Sequence, residues 1–343
     1  MSFVQENVEL KNYSTMRLGG RTRYLAEADS EQGLVELVDW AHDKGVDFLI
    51  IGGGSNIIWR DEGYPGLVIV NKIMGREILA DESDSKTLRA GAGEKWDEVV
   101  AWSVEQGLTG IEYLSLIPGS AGSGPVQNIG AYGGELSKVL LEVAVYDKQL
   151  KTFGSIKAAD CGFAYRTSRF KTTDKGRFII TSMVLKLQKA NPQPPFYEVL
   201  QTYLDDNHIT EFTPQSIRDA VIAIRSSKMP DPARVANNGS FFTNPIIGQS
   251  KYDELKKQYP EIKSWPATEG KVKVAAGWLV EQAGFRGYHD KETGIAVSDK
   301  QSLVLINENA KSTADLLKFK QKVVDKVQTM FGITLEQEPE LLP

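Results

Sequence analysis

The sequence predicts a protein of the α+β class, in which two α+β subdomains precede an α/β domain. Apolar residues with helical spacing alternate with short apolar runs that are typical of strands. Several of these runs are separated only by turn residues, as in an antiparallel meander. Glycine-rich stretches at 52–56 and 117–135 interrupt the pattern. The second stretch contains Val126, Ile129 and Tyr132, which a flexible linker would lack, so we expect a structured loop.

The first 70 residues predict a strand, a helix, a second strand and a glycine turn. Asp29 and Gln32 have the spacing of a capping box, and Gly45 follows the last apolar residue of the helical pattern. The apolar strand at 46–51 runs into the turn at 52–56. No third glycine follows at the step that the Rossmann fingerprint requires. The strand at 67–70 also comes too soon for a βαβ crossover, so a Rossmann unit is excluded.

The rest of the chain continues the mixture of strands and helices. The predicted elements are strands at 76–79, 87–90, 139–146, 178–187 and 302–307, and helices around Trp96, from Pro214, from about Ala275 and at 312–331. Thr213 precedes Pro214 as an N-cap, and Gly332 ends the last helix. A proline-rich excursion at 191–197 is expected to be a loop, and 335–340 a short strand.

The composition excludes several functional classes. The 343 residues are enough for two or three domains, and 41% hydrophobic and 25% charged residues are ordinary for a globular protein. The net charge of −5, without runs of like charge, argues against a nucleic-acid partner. One cysteine and three histidines without metal-binding spacing predict no metal site. There is no leader pattern and no run of about 18 apolar residues, so we expect a cytoplasmic protein with no membrane insertion.

Seven motifs, each present once, follow one another along about 330 residues of the chain. They are IIGGGSN, GAGEKW, IPGSAGSGPVQNIGAYGGE, CGFAYRTSRFK, RSSKMPDP, NNGSFFTNP and the terminal LEQE. In this order the chain resembles the UDP-N-acetylenolpyruvoylglucosamine reductase family. The resemblance implies the FAD-binding fold of the vanillyl-alcohol oxidase and p-cresol methylhydroxylase type, followed by a substrate-binding domain. We expect FAD-binding subdomains at 1–72 and 73–212, the substrate domain at 213–333 and a C-terminal strand at 334–343.

The resemblance also implies the reaction. NADPH reduces non-covalently bound FAD, and the enolpyruvyl ether of UDP-N-acetylglucosamine is then reduced at C3 and protonated at C2. The product is UDP-N-acetylmuramate, a precursor of peptidoglycan in the bacterial cell wall. The cofactor carries the electrons, and the protein binds, orients and polarises. The expected partners are therefore small molecules, and we expect a monomer.

Three residues match the catalytic positions of the family. Arg166 matches the arginine at the substrate carboxylate, although an isolated arginine is more often part of a structural ion pair. Ser240 matches the proton donor, although an isolated Gly-Ser is more often a turn. Glu338 matches the terminal glutamate that acts with the arginine. The tail after Glu338 departs from the family pattern, so Glu336 and Glu340 remain competitors for that role.

The binding residues that the resemblance implies fall into two sets. The expected FAD contacts are Gly53, Gly54, Ser55, Asn56, Ile117, Pro118, Gly119, Gly122, Ser123, Gln127, Asn128, Ile129 and Gly130. The expected substrate contacts are Tyr132, Tyr197, Arg225, Lys228, Asn244 and Gln301, with Tyr197 on a loop that closes as a lid. Arg225 and Lys228 also suit the C-terminal end of a helix, and Tyr197 could be an ordinary loop aromatic.

Two other functions fit parts of the pattern. An FAD-dependent oxidase of the same fold would leave Ser240, Lys228 and Glu338 without a role. A catalytically silent protein that binds flavin or a sugar nucleotide would fit the departure after Glu338. Anaerobic addition of NADPH distinguishes the reductase from the silent binder, because only a reductase bleaches the flavin.

Overall fold

The computed structural model describes residues 4–343, so the first three residues of the predicted subdomain 1–72 lie outside the described part. The chain forms two compact units. Unit 1 contains the described residues up to Asn7, with Arg23–Gly53 and Pro65–Ser226, and unit 2 contains Val8–Thr22, Gly54–Tyr64 and Ser227–Pro343. The boundaries predicted from the sequence at 72, 212 and 333 stay predictions. Among residues 4–343, none of the helices has the length and the apolar character that a membrane span requires.

Helices and short strands alternate along the whole described chain. The helices are α1 (Glu31–Asp43), α2 (Trp96–Glu105), α3 (Glu198–Asp206), α4 (Pro214–Lys228), α5 (Gln249–Gln258), α6 (Ala276–Gln282) and α7 (Thr313–Phe331). The strands are β1 (Gln5–Glu9), β2 (Arg21–Ala28), β3 (Phe48–Ile51), β4 (Ile57–Trp59), β5 (Tyr64–Asn71), β6 (Arg76–Asp81), β7 (Ser85–Gly91), β8 (Gly130–Ala131), β9 (Gly134–Glu135), β10 (Leu140–Asp147), β11 (Thr152–Lys157), β12 (Phe178–Gln188), β13 (Asn237–Ser240), β14 (Ile246–Gly248), β15 (Ser264–Pro266), β16 (Lys271–Val274), β17 (His289–Asp290), β18 (Ile295–Val297), β19 (Val304–Asn307) and β20 (Glu340–Leu342). The predicted mixture of α and β elements is confirmed.

Unit 1 is built around a five-stranded antiparallel sheet with the strand order β11-β10-β12-β7-β6. One core packs apolar residues of this sheet with α2, and Trp96 and Val100 of the helix are fully buried in it. A second core packs α1 with β3 and β5, which pair in parallel. A third, smaller core joins α3 and α4. The loops that join these layers carry Gly53 and the predicted cofactor residues between 117 and 130.

Unit 2 has its own core beneath α6 and α7. It contains a four-stranded sheet with the strand order β13-β19-β18-β17 and a three-stranded sheet with the order β14-β16-β15. Phe241, Phe242 and Phe319 are buried in this core. The last helix, α7, begins with a capping box at Ser312 and ends at Gly332, whose φ of +65° suits glycine. The predicted bounds of α7 are therefore confirmed.

The structure corrects the start of α1. The N-cap is Ser30, whose Oγ accepts a hydrogen bond from the Gly33 N–H, and it is not Asp29. Asp29 instead accepts a hydrogen bond from the Ser30 hydroxyl. Aspartate and serine are both good N-cap residues, so the residue type does not decide between Asp29 and Ser30. The path of the backbone into the helix decides it.

Two further features differ from the sequence expectations. The pairing of β3 with β5 is parallel although no helix connects them, because the connecting chain passes through β4. The sequence also did not predict several elements, among them β11, α3, α5 and the strands β14 to β16. Five of the six residues of β11 are exposed, so its sequence carries no alternating apolar pattern.

Candidate functional site

In unit 1 the two predicted cofactor loops lie directly against each other. A Cβ atom on Gly52 would lie 2.1 Å from the Ser120 Oγ and 2.5 Å from the Ser123 Oγ. A Cβ on Gly53 would lie 3.0 Å from the Gly119 Cα. The two serine hydroxyls are 3.0 Å apart. Only glycine allows the turn at 52–53 to approach the second stretch so closely, and glycine-rich main chain of this kind can bind an anion through its N–H groups.

The glycine-rich stretch is ordered by its own side chains. Asn128 is buried and has a φ of +46°, which is uncommon for a residue other than glycine. Its Nδ2 donates to the Glu135 Oε1, and its Oδ1 accepts from the Ser137 N–H. The side chain of Asn128 is thus bound within the protein, so a ligand would meet the main chain here. The predicted flavin contacts at 127–130 remain predictions.

Arg166 lies at the corner of a two-residue turn. The N–H of Ala164 donates to the Thr167 carbonyl, and the N–H of Thr167 donates back, which closes the turn. The φ of Arg166 is +55°, in the left-handed region. Its Nη2 donates to the Gly130 carbonyl over 2.7 Å. The turn therefore holds the guanidinium against the predicted cofactor stretch, with strain that is typical of functional sites.

A second guanidinium lies near that of Arg166. Burial lowers the pKa of the Arg225 guanidinium, and the like charge of Arg166 lowers this pKa further. The charge of Asp97 and the hydrogen bond with Tyr132 act in the opposite direction and raise it. The Nε of Arg225 is buried and has no hydrogen-bond partner among the described residues. A charged donor without a partner is costly, so this position suits an anionic ligand.

Tyr132 and Tyr197 pack edge to face, with ring centroids 6.4 Å apart. Tyr197 is 39% exposed and directly precedes α3. Burial raises the pKa of both phenols, so both stay protonated at neutral pH. The structure thus brings together Arg166, Tyr132, Tyr197 and Arg225 in unit 1.

An ion pair that no sequence pattern indicates supports this region. Both guanidinium Nη atoms of Arg218 donate to the two carboxylate oxygens of Asp97, over 2.7 and 2.8 Å. The Asp97 Oδ1 also accepts from the N–H of Leu116, which has a φ of +56° and directly precedes the cofactor stretch. Although burial raises the pKa of Asp97, the hydrogen bonds from Arg218 and Leu116 outweigh it and hold the pKa below its usual value. The pair links α2 and α4 to the cofactor loop.

In unit 2 the loop at 54–57 is also tightly held. Gly54 has a φ of +70°, and a Cβ on it would lie 2.3 Å from the Tyr13 carbonyl oxygen. The N–H of Thr15 donates to the Gly54 carbonyl, and the Ser14 hydroxyl donates to the Ile57 carbonyl. The predicted cofactor residues Ser55 and Asn56 therefore lie on a loop whose shape the neighbouring segment fixes.

Ser240 follows a tight turn and precedes a buried aromatic pair. The Asn237 Oδ1 accepts from the Gly239 N–H, and Gly239 has a φ of +69°. Ser240 pairs with Val304 at the end of β13, and Phe241 is fully buried. The core thus fixes the main chain on one side of Ser240 and the turn fixes it on the other.

The C-terminal tail runs alongside Ser240. The N–H of Glu338 donates to the Phe241 carbonyl over 2.9 Å, and the Glu336 carbonyl accepts from the Thr243 N–H. The N–H of Glu340 donates to the Asn56 carbonyl, where β20 begins its parallel pairing with β4. Glu338 is therefore the tail glutamate whose backbone lies opposite the residue after Ser240.

The remaining predicted substrate residues of unit 2 separate into two groups. Asn244 accepts through its Oδ1 from the first N–H of α6, and a Cβ on Gly277 in α6 would lie 3.3 Å from the Gln301 Oε1. Both side chains therefore lie at the start of this helix. Lys228 is the last residue of α4, in the position that suits a cation at a helix C-terminus.

The flavin dinucleotide that the resemblance implies fits these loops. Gly52 and Gly53 leave no room for a side chain against the 119–123 stretch, so this turn meets it as bare main chain. The Oδ1 of Asn238, which lies beside the loop at 54–57, is buried without a hydrogen-bond partner among the described residues. Burial raises the pKa of Cys161 to about 11, so this thiol is unreactive and gives no support to covalent attachment.

Two family models match the chain. Residues 22–149 match an FAD binding domain, and residues 231–342 match the C-terminal domain of UDP-N-acetylenolpyruvoylglucosamine reductase. The first match contains the loop at 52–56, and the second contains Ser240, Asn244, Gln301 and Glu338.

Full-length relatives extend these matches. The UDP-N-acetylenolpyruvoylglucosamine reductase of Pseudomonas putida is 36% identical over 98% of both chains. That of Alcanivorax borkumensis is 38% identical over 98% of this chain and 96% of its own. A crystal structure of UDP-N-acetylenolpyruvylglucosamine reductase from Thermus caldophilus shares the fold, with a TM-score of 0.69 over the full length of both chains at 22% identity. The predicted fold class is confirmed. The chain belongs to the UDP-N-acetylenolpyruvoylglucosamine reductase family.

Proposed function

We propose that this chain reduces the enolpyruvyl group of UDP-N-acetylglucosamine enolpyruvate to give UDP-N-acetylmuramate, with FAD bound non-covalently and NADPH as the reductant. The observation that carries the proposal is the similarity to the UDP-N-acetylenolpyruvoylglucosamine reductase of Pseudomonas putida over 98% of both chains. The match of 22–149 to an FAD-binding domain supports the cofactor. This reaction is a step of peptidoglycan precursor synthesis.

The cofactor would be held by backbone rather than by charged side chains. In unit 1 the turn at Gly53 and the stretch Gly119 to Ser123 provide closely packed main chain. In unit 2 the loop from Gly54 to Asn56 provides a second such segment. When bound, FAD supplies the two-electron transfer between NADPH and the enolpyruvyl double bond.

Arg166 would bind the carboxylate of the enolpyruvyl group. Addition of hydride at C3 increases the negative charge on the carboxylate side of the substrate, and a fixed cation stabilises that charge. The planar fork of donors suits a carboxylate, and the hydrogen bond to the Gly130 carbonyl already orients it. Glu338 would act at the same carboxylate in a protonated or hydrogen-bonded form, and its backbone contact with Phe241 supports this choice over Glu336 and Glu340.

Ser240 would donate the proton to C2 of the substrate. A serine hydroxyl is a weak acid, so it acts only where the developing carbanion is close and the hydroxyl is held in place. The turn at Gly239 and the buried Phe241 hold the main chain at this position. The proton must be replaced from solvent or from a neighbouring group after each turnover.

The diphosphate of the substrate needs cations that are not already neutralised. Arg225 supports this role in unit 1, because its Nε is buried without a partner and Tyr132 lies beside it. Lys228 would supply a further cation in unit 2, and Asn244 and Gln301 would add polar contacts. Tyr197 would close over the ligand, since its side chain is exposed and packs edge to face on Tyr132.

We also propose that the protein is a cytoplasmic monomer whose partners are small molecules. The absence of a spanning helix among the described residues and the net charge of −5 are compatible with this assignment. Cell fractionation and light scattering of the purified protein test the two parts separately.

An anaerobic spectroscopic titration tests the function. NADPH should bleach the flavin absorbance at about 450 nm, and the enolpyruvyl substrate should restore this absorbance in the absence of oxygen. No bleaching would support a silent binding protein. Recovery of the colour with oxygen but not with the enolpyruvyl substrate would support the oxidase.

A further inference from the structure

The side chain of Asn238 connects β13 to the loop at 54–57 within unit 2. Its Nδ2 lies 3.1 Å from the Thr15 Oγ1, 3.1 Å from the Ser55 carbonyl and 3.2 Å from the Ile57 carbonyl. Two of these three partners are carbonyl oxygens, which can only accept. The amide orientation is therefore fixed, because the reverse orientation would place the Asn238 oxygen against two other oxygens.

The other end of the same amide has no partner. Asn238 is 5% exposed, and its Oδ1 is buried without a hydrogen bond to any described residue. A buried acceptor without a donor is unfavourable, and native proteins seldom retain one unless water or a ligand supplies the donor. The unpartnered atom thus indicates a donor that comes from outside the chain.

The position of Asn238 favours a ligand. Its Nδ2 shapes the carbonyls of the loop that carries Ser55, a predicted cofactor contact, and it lies two residues before Ser240. The diphosphate of a flavin dinucleotide carries only acceptors at neutral pH, whereas its ribose and ribityl hydroxyls are donors, as are the ring N3–H and the adenine amino group. A hydroxyl group therefore has the chemistry that the Asn238 Oδ1 lacks.

We propose that Asn238 is a further cofactor-binding residue, whose Oδ1 accepts a hydrogen bond from a hydroxyl group of the bound flavin dinucleotide. The Nδ2 holds the loop while the Oδ1 binds the ligand, so one side chain couples the shape of the loop to the cofactor. This inference rests on the proposed function, since it requires that FAD binds here.

A double-mutant cycle between protein and cofactor tests the proposal. Apoprotein is titrated with FAD and with a series of FAD analogues that each lack one ribityl or ribose hydroxyl, and binding is followed by quenching of flavin fluorescence. For at least one analogue, the wild type should lose affinity about three- to tenfold, as expected for one neutral hydrogen bond. The Asn238→Ala variant should bind FAD more weakly but should not discriminate against that analogue.

Thr15→Val is the matched control, because it removes a partner of the Nδ2 and leaves the Oδ1 in place. It should discriminate against the analogue as the wild type does. Asn238→Ser provides a second variant if Asn238→Ala does not fold, because its hydroxyl can still donate to a carbonyl of the loop, and its shorter side chain should lose the discrimination with the Oδ1. Equal losses in wild type and Asn238→Ala for every analogue would overturn the proposal and would leave water or an N–H group of the cofactor as the donor. Failure of the wild type to bind FAD would overturn the proposed function as well.

Discussion

Replacing Arg218 by methionine should destabilise unit 1 by about 2–3 kcal/mol, because it leaves the Asp97 carboxylate without its cation. The side chains of Arg218 and Asp97 are 10% and 30% exposed, so the pair is largely withdrawn from water. Breaking one partner of a buried pair costs about 3–5 kcal/mol, and the partial exposure of Asp97 lowers the expected value. The midpoint of thermal unfolding should fall by roughly 5–10 °C.

Urea unfolding at neutral pH, followed by tryptophan fluorescence, measures this change. The pair of Arg89 and Glu77 provides the control, because their side chains are 48% and 60% exposed and Arg89→Met should cost less than about 0.5 kcal/mol. The double variant Asp97→Asn/Arg218→Met should be more stable than Arg218→Met alone, because the amide oxygen keeps the acceptor for the Leu116 N–H and no unpaired carboxylate remains. If Arg218→Met and Arg89→Met have the same effect, the ion pair has no structural role and the reasoning fails.

The remaining predictions concern pH, cofactor and turnover. The pKa of Asp97 is lowered in the fold, so its contribution to stability is present above its unfolded pKa and is lost as the pH falls through its folded pKa. The difference in unfolding free energy between wild type and Arg218→Met should therefore narrow as the pH falls below about 4 in urea titrations. Gly52→Ala should weaken FAD binding more than tenfold in fluorescence titrations, whereas Gly154→Ala, where a Cβ meets nothing within 4 Å, should leave it unchanged; equal affinities would refute the close contact of the two loops. In stopped-flow absorbance, Ser240→Ala should keep the rate of bleaching by NADPH and slow recolouring by the substrate about 10²–10⁴-fold, and equal slowing of both steps would remove the proton-donor role. Lys228→Ala should raise the KM for NADPH and for the substrate together in steady-state assays, and an effect on only one would argue for separate sites.

Local sequence signals predicted the elements whose ends depend on neighbouring residues. Ser312 and Gly332 bound α7, and Thr213 caps α4 through its hydroxyl, which accepts from the Ser216 N–H. Capping and left-handed glycines act over three or four residues, so they are visible in the sequence. The same signals predict Asp29 as the N-cap of α1, whereas the structure has Ser30. Two adjacent residues that both cap well can be distinguished only by the path of the backbone.

The sequence by itself determined the family, the order of the motifs and the residues proposed for chemistry, because these are matters of residue identity and spacing. The tertiary structure alone decided which distant residues support them. Asp97 meets Arg218 across 121 residues, and Asn238 meets Ser55 across 183. It also placed the Glu338 backbone opposite Phe241. A contact between distant segments depends on how whole layers pack and leaves no periodic signal along the chain, so only the folded structure reveals it.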